Sequence, residues 1–186
     1  MFKYLIHLLL LIWVTTSVRA DQEAGNSLVV RAGEYGGLYA KSIPAERHGS
    51  KGETRVYYAQ AETDQLQFTL PWYASQFYLQ GTAWGVSVIR CGPWPRGREA
   101  SDKDLAIEFY LSEKLLKSYS TLDLAGTKNN VMASVSHYNV IKQIKGYRWV
   151  RSNDHAFDVL LQDGRLISFD VNTGLIIPPE PTPASP

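Results

Sequence analysis

Cysteine is almost missing from this chain: there is one, Cys91, among 186 residues. A single cysteine excludes an internal disulfide framework and any cysteine-based zinc site, so stability has to come from core packing. In the run Ser87-x-Ile89-x-Cys91 it alternates on one strand face, the setting of a small buried hydrophobe rather than a reactive thiol. An excess of either charge is missing too. The formal net charge is +1, and removing Lys3 and Arg19 with a leader turns it to −1. That balance leaves no electrostatic case for nucleic acid or an anionic membrane surface. Long apolar runs are absent beyond the N-terminus, so no transmembrane segment is expected after leader cleavage. No serine sits in a Gly-x-Ser-x-Gly elbow, and no histidine pair has the spacing of a zinc enzyme.

The N-terminus reads as a secretory signal. Lys3 supplies a short basic region, and Leu5 to Val14 is apolar apart from His7. Val18-Arg19-Ala20 places small residues where a signal peptidase reads them, so cleavage is expected after Ala20. The apolar run is about ten residues, half of what a spanning helix needs. The organisation expected is therefore a cleaved leader over 1–20, one β-rich domain over 21–177, and a disordered proline-rich tail over 178–186. Export to a periplasmic or extracellular location follows from that reading.

What remains is rich in strand signals. Short runs with period-two alternation recur between turns: Leu38 to Ile43, Thr54 to Ala59, Leu66 to Leu70, Ser75 to Gln80, Val86 to Cys91. Leu105 to Leu111 and Leu115 to Thr121 flank the turn Ser112-Glu113-Lys114 and read as a hairpin. A rival helix over 102–120 draws on Ser101-x-x-Asp104, which has the form of a capping box. Asp123 to Asn130 reads as a loop. Val131 to Ile144 is the least decided segment, a short helix running into a strand being one option for it. Asp163-Gly164 is the strongest hairpin signal in the chain, joining Ala156–Leu161 to Leu166–Val171. Leu175-Ile176-Ile177 closes the domain. These elements predict an all-β protein, with room for one short helix, built as an antiparallel sandwich or a meandering, barrel-like sheet.

Two resemblances rest on particular residues. The segment DGRLISFDVNTGLII, residues 163–177, resembles one blade motif of the quinoprotein type of β-propeller. It implies a local strand-turn-strand shape and no quinone cofactor. The combination GPWPRG, KLLKSYSTLDLAG and SVSHY resembles a family of bacterial exported proteins without an established activity. That likeness implies export and a β-rich fold, and it carries over no site residues.

The most distinctive chemistry lies in Gly92-Pro93-Trp94-Pro95-Arg96-Gly97-Arg98. Two prolines stiffen the loop and remove two backbone donors. A rigid tryptophan with Arg90, Arg96 and Arg98 is suited to a carboxylate, a sugar or a protein partner. The plain alternative is a structural loop with Trp94 packed on the sheet. Trp72-Tyr73 follows Pro71, and one of the pair is expected to be exposed as a further contact. The function expected is a non-enzymatic module binding a protein, glycan or other envelope component. The alternative is a hydrolase assembled from His137, His155 and Asp123, or a structural or inhibitory module. Ser136 and His137 are sequence neighbours, which on a strand point to opposite faces. Asp170-x-Asn172-x-Gly174 lacks the rest of a calcium loop and reads as a turn. No metal, cofactor or catalytic residue is assigned.

Overall fold

The computed structural model describes residues 25–34, 36–151 and 154–178. The leader expected over 1–20, and the tail from 179 onward, lie outside the described residues. Thirteen described strands run antiparallel in four sheets, none closed into a barrel. The first sheet is the meander β1 (Val29–Ala32), β2 (Leu38–Pro44), β3 (Gly52–Tyr58) and β4 (Gln65–Leu70). The second is the meander β5 (Phe77–Thr82), β6 (Gly85–Cys91), β7 (Leu105–Leu111) and β8 (Lys114–Ser120). A short helix, α1 (Thr121–Ala125), follows. A two-residue ladder then joins β9 (Met132–Ala133) to β10 (Tyr138–Asn139). Last come β11 (Ile141–Arg151), β12 (Asp154–Leu161) and β13 (Leu166–Asp170).

The second sheet is the middle layer. Phe77, Leu79, Val88 and Tyr110 point from it into a core shared with Leu38, Ala40, Val56, Phe68 and Leu70 of the first sheet. Ile89, Cys91, Ile107 and Phe109 point the other way, against Phe157, Val159, Leu161 and Phe169 of β12 and β13. Side chains alternate across a strand, so burial of both faces turns neighbours such as Val88 and Ile89 into equally hidden residues. This is why the alternation of Val86 to Cys91 breaks at Val88-Ile89, two adjacent apolar residues. The first sheet keeps an open outer face, where Tyr39 and Tyr57 stack with centroids 5.1 Å apart.

The hairpin over 105–120 forms as expected, turning through Ser112 at φ 54°. The Asp163-Gly164 turn also forms, with Gly164 at φ 88° and the Leu161 amide donating to Arg165 O at 2.8 Å. Two readings need correction. The segment 131–144 holds no helix: it is the β9–β10 ladder running into β11. The described helix lies instead at Thr121–Ala125, in a stretch that reads as the end of a strand and a loop. Its cause is a capping box one hairpin later than Ser101-x-x-Asp104. Ser120 Oγ accepts from the Asp123 amide at 3.1 Å, and Asp123 Oδ2 accepts from the Ser120 amide at 2.8 Å. Leu175–Ile177 adds no full strand; Ile176 bridges Phe169 and covers part of the β13 edge.

Candidate functional site

Gly92 starts the site. The chain leaves β6 so close to β7 that a Cβ on Gly92 would lie 1.9 Å from Leu105 O, and the Gly92 amide donates to Ala106 O at 2.9 Å. Only glycine permits that approach. Pro93, Trp94 and Pro95 then cross as a strap. The strap is fastened to the turn between β9 and β10: Tyr138 N donates to Pro95 O and Gly97 N to Ser136 O, each at 3.0 Å, with Arg96 bridging His137. Tyr138 anchors the turn from inside. Its fully buried hydroxyl meets Thr121 Oγ1 at 2.9 Å and donates to Asp104 Oδ2 at 2.7 Å. Burial pushes its pKa up to about 12.

The strap and the turn enclose a cleft of about 470 Å³. Trp94 stands at its edge, 47 % exposed. Ser134, Ser136 and His137 of the β9–β10 turn line it, together with Ser50, Tyr73 and Gln76. No carboxylate lines it among the described residues; its polar groups are hydroxyls, amides, an imidazole and the Arg90 guanidinium. Within the turn, Ser134 Oγ donates to His137 O at 3.0 Å and the Ser134 amide to the same oxygen at 2.7 Å. Ser136 Oγ and His137 Nδ1 share a hydrogen bond of 2.7 Å. These two side chains therefore meet, contrary to the strand-based expectation, because they sit in a turn and not on a strand.

Of the residues singled out in the sequence, Trp94, Arg90, Tyr73 and His137 come together at this cleft. Arg90 is committed elsewhere. Its guanidinium pairs with Glu108 Oε2 at 2.9 Å and lies 5.0 Å from the Trp72 ring. The two charged side chains are only 14 % and 13 % exposed. Tyr110 donates to the same carboxylate oxygen at 2.7 Å, and burial together with that bond raises its pKa. Arg96 and Arg98 line a separate depression with Asp102, Lys103 and Lys128.

The expectation that one of Trp72 and Tyr73 is exposed is wrong: they are 4 % and 3 % exposed. The segment after Pro71 crosses from the first sheet to the second, and buried hydroxyls stitch its backbone down. Thr54 Oγ1 donates to Trp72 O and the Ala74 amide to Ser42 Oγ, both at 2.9 Å. Tyr73 spends its hydroxyl on Ser27 O at 3.0 Å.

The other members of the hydrolase set do not line the cleft. Asp123 caps α1, where hydrogen bonds from Ser120 hold its carboxyl below the usual range. His155 is buried at the end of β12 against Trp149, ring centroids 3.9 Å apart. Asp158 pairs with Arg148 at 2.6 Å. Asp170 Oδ1 accepts from the Asn172 amide at 2.8 Å, a turn bond. Ser50 and Gln76 carry no site signal in the sequence: the packing of the β2–β3 connection brings Ser50 to the cleft, and the β5–β6 pairing, in which the Cys91 amide donates to Gln76 O at 3.0 Å, brings Gln76 there. No protein-family model, curated protein or solved structure matches this chain.

Proposed function

We propose that this chain is an exported, non-enzymatic binding protein of the bacterial envelope, and that the cleft beside Trp94 takes a saccharide. The observation that carries the reading is a half-exposed indole beside a cleft lined by hydroxyls, amides and an imidazole, free of carboxylates among the described residues, whose one cation, Arg90, is already paired with Glu108. The volume, about 470 Å³, lies in the range of small-ligand sites, roughly 300–1,000 Å³. A pyranose offers an apolar C–H face to an indole and a ring of hydroxyls to serine, glutamine and imidazole groups. Trp84 is more exposed, at 72 %, but sits in the β5–β6 turn and does not line the cleft. Export rests on the leader pattern and implies a mature protein beginning at Asp21, which the mass of the secreted product checks.

Thermal unfolding with N-acetylglucosamine oligomers tests the binding. A ligand at a hundred times its Kd adds about 2.7 kcal/mol, or roughly 5–10 °C in Tm. Trp94→Ala should abolish that shift while leaving the unliganded Tm within about 2 °C. A Trp94→Ala protein that keeps the shift would place the sugar elsewhere.

A second reading draws on the Ser136–His137 hydrogen bond: a hydrolase in which His137 takes the proton of Ser136. It lacks an orienting carboxylate among the described lining residues, so binding is the better supported reading. Ester hydrolysis by the purified protein, lost in Ser136→Ala, would reverse that preference.

A further inference from the structure

Trp94 belongs to two depressions. A second hollow of about 230 Å³ shares the Gly92–Pro95 strap and is lined as well by Ala106, Asn139, Lys142 and Gln143, which do not line the first. Gln76, Cys91, Gly92, Pro93 and Trp94 line both hollows, so the strap is a ridge between them. The second hollow falls below the size of an independent ligand site, roughly 300 Å³. No carboxylate lines it either among the described residues; Lys142 is its charged group and Gln143 adds an exposed amide. An extended ligand lying across the indole enters both hollows, whereas a single sugar fills one.

We propose that the ligand is a glycan chain that runs over Trp94, with one part in the cleft beside His137 and the next in the hollow beside Lys142 and Gln143. This rests on the saccharide reading above and adds a direction and a minimum length to it. The strap is suited to the task because it is rigid. Two prolines fix its backbone, Gly92 seats it on β7, and its pairing with Ser136 and Tyr138 holds it from the other side. A ridge that does not move loses little entropy when a chain lies across it.

Calorimetric titration with N-acetylglucosamine oligomers of increasing length, from the monosaccharide to the hexamer, tests this. In the wild type, affinity should rise at least tenfold from the monomer to the longer oligomers and then level off. The double variant Lys142→Ala/Gln143→Ala should bind the monomer as the wild type does and lose the gain with length. Both positions are exposed, so folding is expected to survive, and an unchanged Tm checks it. Affinity independent of length, with binding lost in Trp94→Ala, would overturn the chain while leaving the saccharide site intact. A gain with length that survives the double variant would also overturn it, by placing the added contacts outside the second hollow. Failure to bind any oligomer would remove the saccharide reading and this inference together.

Discussion

Arg90 shows how a residue with binding chemistry becomes a structural one. Its charge is balanced by Glu108 and its flat face is covered by Trp72, with little of either charged side chain in water. Removing one member of such a pair strands the other, at a cost of about 3–5 kcal/mol. Arg90→Ala should therefore lower the free energy of urea unfolding by about 3 kcal/mol. A loss under about 1 kcal/mol would mean that water reaches Glu108 and the pair behaves as a surface ion pair. Cys91 lends itself to a pH test. Burial in the middle of the sandwich pushes its thiol from 9.0 up to about 12. Between those values the unfolded chain releases the proton and the folded chain keeps it, so stability falls as pH rises. The slope is about 1.4 kcal/mol per pH unit. Buried tyrosines such as Tyr138 push the same way, and Cys91→Ala leaves them in place. Urea unfolding between pH 9 and 11 should thus fall less steeply in Cys91→Ala than in the wild type. Equal slopes would show that the thiol titrates normally.

The element that decides the site is the strap over 92–98. Its boundaries are legible in the sequence, because Gly-Pro-Trp-Pro cannot continue a central strand. Its position is not legible. Which side of the loop faces a cleft depends on Gly92 touching Leu105 and on Arg96 meeting His137, about forty residues away along the chain. Gly92→Ala should therefore act on the strap as a whole. With Cβ forced against the Leu105 carbonyl, it should cost about 3 kcal/mol and weaken ligand binding together with stability. A Gly92→Ala protein of wild-type stability would show that the backbone has room there. The short helix α1 teaches the same lesson on a smaller scale. Ser120-x-x-Asp123 and Ser101-x-x-Asp104 are equally good capping signals; the residues after Asp104 are taken up as β7 by ladders to β6 and β8, and those after Asp123 form the helix.

At the scale of the molecule, period-two alternation and turn residues reveal the strands, and three meandering sheets follow from short connections. Their stacking is less visible. Alternation locates one buried face, but Val88 and Ile89 are both fully buried, which only layers on both sides of the middle sheet explain. Trp72 and Tyr73 are buried for the same reason. A turn-like sequence suggests surface, while this crossing is tied down by Ser42 and Thr54 from the layer below. The cleft arises where the first sheet, the middle sheet and the β9–β10 turn meet, so no single stretch announces it. The most direct test of saccharide binding there is the resonance of the Trp94 indole N–H, assigned with a Trp94→Phe variant. It is followed while a chito-oligosaccharide is titrated into the labelled protein. Binding across the strap predicts that this signal and the Gly92 and His137 amides move together and saturate at one affinity. If those signals stay still while the sugar binds, or if nothing moves at millimolar sugar, the cleft beside Trp94 is not a saccharide site.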